Sequence, residues 1–243
     1  MSSFVEYLSQ GIAVGTGFAA LLSSAWAGYL GCRRLWQRSI GRRREQQGLI
    51  ETLACGSSRE FVNSTLGVPR FRSETAGIES NTYSTAGAWV VVEFESNTVI
   101  AFSVTVTNPR LYVTTDRLCF SQLKVQLGRS TFADAPDGCT SEKLWTGAHR
   151  HGYLRHYYFG NSAGYQNYWL SYNMCGSGSR KNVSPDSYDS GAYGDGGMRD
   201  QHIDAVSINT LTVVGPTFPN AELFFNRDVL GPENDIVRLA VSP

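Results

Sequence analysis

The sequence predicts an α+β protein in which an N-terminal transmembrane helix is followed by a soluble domain of antiparallel sheet with few short helices. Three observations favour this class: an uncharged stretch that ends at Cys32, a run of arginines directly after it, and β-branched strand patterns separated by turn residues beyond residue 88. The pattern also leaves open a loose repetition of two halves. The expected units are the tail and membrane helix (1–32), a basic juxtamembrane helix (33–54) and the soluble domain (55–243).

The uncharged stretch from residue 11 to residue 31 is the predicted membrane helix. At about 1.5 Å per residue it spans roughly 30 Å, the thickness of a bilayer core. Basic residues near a membrane helix stay on the cytoplasmic side, and the flank before this helix has none. We therefore expect the N-terminus outside, the soluble domain in the cytoplasm, and lipid headgroups beside six arginines: Arg33, Arg34, Arg38, Arg42, Arg43 and Arg44.

Three alternatives to a membrane helix stay open from the sequence. The stretch could instead be a buried helix of a soluble core. Ala25-Trp26-Ala27 is typical of a signal-peptidase site, and Leu30-Gly31-Cys32 is similar to a lipoprotein acylation site. Both export signals lack a basic segment before them, so the pattern favours the membrane helix.

Small residues recur at every fourth position of the predicted membrane helix and line one of its faces: Gly11, Gly15, Ala19, Ser23, Ala27 and Gly31. Such a face lets a second helix approach closely. The expected partners are therefore the lipid bilayer and a protein, which includes a second copy of the chain bound through this helix. A helix that faces only lipid is the alternative.

The charge of the chain argues against nucleic acid as a partner. Lysine plus arginine and aspartate plus glutamate number 21 each. Without the six arginines, Glu6 and Glu45, 15 basic and 19 acidic residues remain, a net charge near −4. A domain that binds nucleic acid is expected to be basic instead.

The five cysteines show no spacing typical of a metal site: Cys32, Cys55, Cys119, Cys139 and Cys175. No cofactor is expected. In the cytoplasm these thiols are expected to be reduced, whereas an exported protein could pair Cys119, Cys139 or Cys175.

Two helices are predicted before the first strand pattern. A polar helix continues to about Leu53, and a short helix follows it. For the short helix, Ser57 or Ser58 caps the start and Gly67 ends it. The predicted apolar face of this helix consists of Phe61, Val62 and Leu66.

Strand patterns dominate the remainder. Two runs of β-branched and aromatic residues, 89–95 and 99–106, predict a hairpin closed by Ser96-Asn97-Thr98. The Gly-, Ser- and Asp-rich residues 176–200 are expected to form a flexible loop or insert. Later strands are predicted over residues 153–159, 165–173, 205–214 and 236–241.

Residues 50–107 resemble a small module of known proteins. The short helix, the step Leu66-Gly67-Val68-Pro69 and a hairpin led by Trp89 resemble the two-layer α+β module of outer-membrane assembly lipoproteins and β-lactamase inhibitor proteins. This resemblance implies that the chain binds other proteins and catalyses nothing.

A second resemblance covers most of the soluble part. Residues 157–166 read YYFGNSAGYQ, and with Leu127-Gly128 and residues 130–132 they resemble the hallmark of an uncharacterised bacterial family, the ETEC-type domain of unknown function. Many members of that family are membrane-anchored. The resemblance implies no particular activity.

One group of residues could form a catalytic or metal site: His149, His151, His156, Asp134, Asp137 and Glu142. Metal binding or acid–base catalysis requires that these side chains converge in space. Ordinary surface histidines are the alternative. The sequence therefore leaves the question of an enzyme open and does not favour one.

The aromatic-rich second half contains a candidate recognition patch, with packing of the rings in the core as the alternative. The sequence predicts a single-pass membrane protein whose cytoplasmic α+β domain binds a partner without catalysis. A membrane-tethered hydrolase that uses His149 or His151, or a structural subunit of a membrane complex, are the alternatives. The residues expected to bind the partner are Tyr158, Phe159, Asn161, Tyr165 and Gln166.

Overall fold

The computed structural model describes residues 42–146, 151–159, 167–178, 203–216, 227, 229–235 and 237. Within the described residues, two short α-helices precede the strands, α1 (Arg42–Ile50) and α2 (Arg59–Leu66). Eight strands follow: β1 (Phe71–Thr75), β2 (Ile78–Thr85), β3 (Ala88–Glu95), β4 (Thr98–Val106), β5 (Ser141–Thr146), β6 (His151–Tyr158), β7 (Asn167–Tyr172) and β8 (Thr210–Val214).

All eight strands form one antiparallel sheet in the order β1-β2-β3-β4-β8-β7-β6-β5. The first four strands run as a meander, and the last four run as a second one. The meanders join where β4 pairs with β8, with Ser103 opposite Thr212. The sheet is therefore continuous, and its edge strands are β1 and β5.

Tight turns set the register of the first meander. The loop residues Ala76 and Gly77 have φ values of 53° and 78°, and Ser96 and Asn97 have 47° and 69°. Two residues with positive φ make a turn whose twist matches that of the flanking strands. The predicted hairpin over 89–106 is confirmed, with β3 and β4 in the register Val91 opposite Ser103.

The start and end of α2 agree with the prediction. The hydroxyl of Ser58 accepts a hydrogen bond from the backbone N–H of Phe61 at 3.2 Å, and Gly67 ends the helix with a φ of 85°. Val62 is fully buried, but Phe61 is 42% exposed. The prediction that Phe61 packs on the same apolar face is therefore wrong.

The first face of the sheet carries the main core. Alternate residues of the central strands point to this face because side chains alternate along a strand. They pack with α1, α2 and the loops of residues 107–134, and examples are Val90, Val104, Leu170 and Leu211.

The second face of the sheet is also buried, but its centre is polar. Ser103 and Thr212 share a hydrogen bond of 2.7 Å between their hydroxyls, and Thr105 and Thr210 share one of 2.8 Å. Leu230 lies on this face in a small apolar cluster whose other members are Ile100, Ala101, Leu154, Trp169 and Val214.

The predicted antiparallel sheet with short helices is confirmed, but the predicted membrane helix is wrong: among the described residues none of the helices has the length and apolar character that a membrane span needs, and α1 has only nine residues. The loose repetition of two halves stays a prediction, because one continuous sheet built from two meanders does not test it. Residues 11–31, with the predicted helix contacts and the arginines before residue 42, lie outside the described residues. The membrane assignments therefore have no structural support.

The structure also corrects the strands that the sequence predicted. β1, β2 and β5 were not predicted, because their polar residues hide the alternation of faces. The prediction of a strand over residues 236–241 is wrong at Val237. This residue is helical, and its backbone N–H donates to the Glu233 carbonyl at 3.1 Å. Residues 179–200 of the predicted loop lie outside the described residues.

Candidate binding surface at the end of strand β6

Strand β6 and the residue after it place four large side chains on the first face of the sheet. Tyr153, Arg155, Tyr157 and Phe159 occupy alternate positions and so point the same way. Their exposed fractions are 3%, 9%, 1% and 36%, so the row emerges from the core at Phe159. Tyr158 points to the opposite face and is 46% exposed.

The ring of Phe159 rests on two buried rings. Its centroid is 6.2 Å from that of Tyr157, with 14° between the planes, and 6.0 Å from that of Tyr168. Tyr157 is fixed in turn, because its hydroxyl donates to the Pro136 carbonyl at 3.0 Å. The exposed ring therefore has a rigid support below it.

Burial keeps the supporting phenols neutral. Loss of solvent raises the pKa of Tyr157 to about 12, although the nearby Arg155 guanidinium opposes this rise. Burial also raises the pKa of Tyr168 above its usual value. The support of Phe159 is therefore an uncharged aromatic surface at neutral pH.

Arg155 is the centre of a buried polar cluster behind this support. Its Nη1 donates to the Phe132 carbonyl at 2.9 Å, and its Nη2 contacts Asp204 at 3.3 Å. Its guanidinium carbon lies 5.3 Å from the centroid of the Phe132 ring. The arginine thus ties β6 to the two short 3-10 turns Phe132–Asp134 and Ile203–Ala205.

Tyr153 links Arg155 to Glu142 on the neighbouring strand β5. Its phenol donates to Glu142 and accepts from Arg155 Nε at 2.8 Å. Burial, together with the Glu142 hydrogen bond, raises the pKa of Tyr153. For Arg155, burial acts to lower the pKa, but the bonds to Tyr153 and the nearby carboxylate outweigh it and the pKa is raised. The cluster thus holds a charged arginine in place.

The residues considered for catalysis do not converge where the structure describes them. His156 points to the second face, whereas Glu142 pairs with Arg155 on the first. Asp134 accepts a hydrogen bond from the N–H of Thr131 at 2.7 Å and so caps its own turn. Asp137 lies in the loop before β5, and His151 begins β6 opposite Thr146, whereas His149 lies outside the described residues. No group of three potential metal ligands occurs in the described residues.

His156 has a packing role on the second face. Its ring stacks on Trp169 with 4.6 Å between centroids, and its Nε2 is 2.8 Å from the Asn167 side-chain oxygen. Burial lowers its pKa, and the Asn167 contact partly offsets this effect. The imidazole is therefore neutral near pH 7.

Two of the five predicted binding residues, Tyr158 and Phe159, are described and exposed. Asn161, Tyr165 and Gln166 lie outside the described residues. The sequence analysis missed the supporting row and the Arg155 cluster. The alternation of aromatic and charged residues along β6 could have predicted the row. The pairing of Arg155 with Glu142 could not be predicted without knowledge of β5.

The described cysteines are thiols: Cys119 is buried, and Cys55, Cys139 and Cys175 are half-buried. Burial raises the pKa of Cys55 to about 12 and places that of Cys119 well above its usual value. Cys119, Cys139 and Cys175 form no disulfide bond with one another, although the sequence allowed such a pairing in an exported protein.

Comparison with known proteins does not place the chain in a family. No family model matches it, and no curated protein matches its sequence. A cysteine-rich secretory protein from Staphylococcus aureus aligns with 8% identity and a TM-score of 0.39, over 74% of this chain and 51% of that one. An extracellular protein containing an SCP domain from Bacillus anthracis aligns with 8% identity and a TM-score of 0.35, over 66% and 44%. The chain spans about half the length of these proteins, and at such TM-scores neither likeness identifies a fold or a function.

Proposed function

We propose that the chain is a non-catalytic binding protein and that it recognises a protein partner through Tyr158 and Phe159. The observation that carries this proposal is the exposure of Tyr158 and Phe159, which are consecutive at the end of β6 and project from its two faces. The Phe159 ring stacks on buried Tyr157 and makes a tilted contact with buried Tyr168. Large aromatic residues are enriched at the centres of protein interfaces.

The rigid support of Phe159 favours recognition over simple surface exposure. A side chain that is already held in place loses little conformational freedom when a partner covers it, so more of the contact energy contributes to affinity. The contacts of the Phe159 ring with Tyr157, which is stacked, and with Tyr168, which is tilted, provide this condition. The resemblance of residues 50–107 to modules that bind other proteins agrees with the proposal.

A photocrosslinking experiment tests the proposal. A photoreactive phenylalanine analogue is placed at Tyr158 or at Phe159 in the full chain, and the chain is irradiated in its native cells. We expect one discrete adduct, identified by mass spectrometry, from each position. The adduct should no longer form in a chain that carries the probe at Tyr158 together with Phe159→Ala.

The matched control places the same probe at Tyr112, another exposed tyrosine, which is 53% accessible against 46% for Tyr158. An adduct specific to the β6 end should be absent there. Equal labelling from Tyr112, or an adduct from Tyr158 that persists in Phe159→Ala, would refute a defined recognition surface at this position.

A further inference from the structure

A segment that follows β8 in the chain lies against the second face of the sheet. We call its described residues, Arg227, 229–235 and Val237, the strap. Leu230 of the strap is 2% exposed and packs in the apolar cluster with Trp169 and Val214. Pro232 and Val237 are buried as well. The strap is therefore held in place by burial of apolar side chains and by the polar contacts that follow.

Glu93 of the second face pairs with Arg227 of the strap. The guanidinium meets both carboxylate oxygens, with 3.2 Å from Nη2 to Oε2. Glu93 is only 5% exposed. A bidentate arginine–carboxylate pair is specific for geometry as well as for charge, so this position selects a guanidinium.

Asn173 holds the backbone of the strap. Its side-chain amide donates to the Leu230 carbonyl at 2.8 Å and to the Pro232 carbonyl at 3.2 Å. Asn173 is itself fixed, because its backbone N–H donates to the side chain of Asn209 at 2.7 Å. These bonds therefore recognise the backbone of the strap rather than one of its side chains.

Gly231 allows the strap to approach the sheet closely. It has a φ of 91°, and a Cβ at this position would lie 2.6 Å from Thr105 Oγ1 and 3.2 Å from Asn173 Nδ2. A larger residue would therefore be both strained and obstructed. Glycine is required between Leu230 and Pro232 for this fit.

The surface beneath the strap is polar for a region so deeply buried. The hydroxyl pairs Ser103–Thr212 and Thr105–Thr210 lie at its centre. Ser171 lies opposite Thr210 and is 1% exposed. Its hydroxyl has no hydrogen-bond partner in the part of the chain that the structure describes. A face that only packed a core would carry aliphatic residues, whereas hydroxyl, amide and carboxylate groups suit recognition of a polar backbone.

We propose that the second face is a peptide-binding surface that recognises the pattern Arg-x-x-Leu-Gly-Pro and that the strap is its occupant within the same chain. The strap follows β8 and pairs with no strand in the described residues. Its release therefore breaks no backbone hydrogen bonds between the strands of the sheet. It detaches while the sheet stays folded, and a second peptide of the same pattern then occupies the surface. This surface is separate from the support of Phe159.

A synthetic peptide that spans residues 227–237, with a fluorescent label, tests this proposal on the full chain. Gly231→Ala loosens the strap, so we expect the labelled peptide to bind this variant at least about ten-fold more tightly than it binds the unchanged chain. Gly138→Ala is the matched control, because Gly138 has a φ of 81° but a methyl group added there would meet no other atom within 4 Å. Its peptide affinity should equal that of the unchanged chain.

A charge reversal identifies the arginine position. In the Gly231→Ala background, Glu93→Arg should weaken binding of the labelled peptide by about ten-fold or more, and a peptide with Arg227→Glu should restore it. A structural role of Glu93 alone would not produce this rescue. Failure of a folded Gly231→Ala chain to bind the peptide, or binding that ignores the charge at residue 93, would overturn the proposal.

Hydrogen exchange of the unchanged chain tests the release step without any variant. The N–H of Val237, bonded within the strap, should exchange faster than the N–H groups of β4 and β8. Exchange of the strap and these strands at one common rate would show that the strap opens only with the whole fold, and would contradict its release.

Discussion

Arg155 and Tyr153 share a hydrogen bond of 2.8 Å from guanidinium Nε to phenol oxygen, and the guanidinium carbon lies 5.5 Å from the centroid of the same ring. The Tyr153 hydroxyl in turn donates a hydrogen bond to the Glu142 carboxylate. The two residues, two positions apart on β6, therefore hold both the edge strand β5 and the turns behind Phe159.

Arg155→Leu should lower the free energy of unfolding by about 2–3 kcal/mol. It removes one hydrogen-bond partner each from the Tyr153 hydroxyl, the Phe132 carbonyl and the Asp204 carboxylate. The loss stays below that of a fully buried ion pair because Glu142 and Asp204 are partly exposed. Urea unfolding followed by circular dichroism measures it.

Arg129→Leu is the control for Arg155→Leu. Arg129 is exposed and donates from Nε to the Pro109 carbonyl at 2.9 Å, so its loss should change stability by no more than about 0.5 kcal/mol. Equal effects of the two substitutions would show that the Arg155 cluster does not stabilise the fold.

The protein should lose stability as the pH rises above 10. Burial raises the pKa of Tyr157 from 10.0 to about 12 and raises that of Tyr153. The folded state then keeps protons that the unfolded chain releases, so the free energy of unfolding falls with pH across this window. Tyr157→Phe should make the fall less steep, as measured by urea unfolding at several pH values. An unchanged slope would show that Tyr157 titrates normally.

The protein should also lose stability as the pH falls below 6.5. Burial of His156 lowers its pKa from 6.5, so the unfolded chain binds a proton that the folded state does not. Stability then falls by up to about 1.4 kcal/mol per pH unit until the pH reaches the folded-state pKa. His156→Gln should remove this contribution to the slope, whatever its effect on stability at pH 8. A slope that persists unchanged would exclude His156 as its source.

Phe120→Gly should stabilise the protein by about 1 kcal/mol. Phe120 has a φ of 48° and is 52% exposed, so its backbone is strained while its ring is half in solvent. It ends a helical turn in which Ser121 N–H donates to the Asp116 carbonyl at 2.7 Å, a position where glycine is preferred. Thermal unfolding measures the change.

Phe120→Ala separates the two effects at this position, because it removes the ring but keeps the strained Cβ. It should leave stability unchanged or lower it slightly. If glycine lowers stability as much as alanine does, the packing of the ring outweighs the relief of backbone strain.

Local signals in the sequence were sufficient for the elements that local chemistry determines. The cap at Ser58, the end of α2 at Gly67 and the hairpin closed by Ser96 and Asn97 follow from short-range hydrogen bonds and backbone preference. The pairing of β4 with β8 joins residues more than one hundred positions apart, and no local pattern specifies it. The membrane helix was inferred from the length of an uncharged stretch and from the arginines that follow it, and no helix of the described residues supports a membrane span.

The candidate site was only partly predictable for the same reason. Exposed aromatic residues at Tyr158 and Phe159 follow from their place at the end of a strand pattern. The support by Tyr168 and the contact of Arg155 with Asp204 depend on β7 and on a turn far along the chain. Glu142 and His156 looked like one cluster in the sequence, but strand pairing places them on opposite faces.

The affinity of the purified chain for the partner captured through Tyr158 tests the account most directly. Calorimetry should show that Phe159→Ala weakens binding by about ten-fold or more, since loss of a supported aromatic contact at an interface costs more than about 1 kcal/mol. Tyr112→Ala should leave the affinity unchanged, and both variants should unfold at the same temperature as the unchanged chain. Equal affinities for Phe159→Ala and the unchanged chain would contradict recognition at the end of β6.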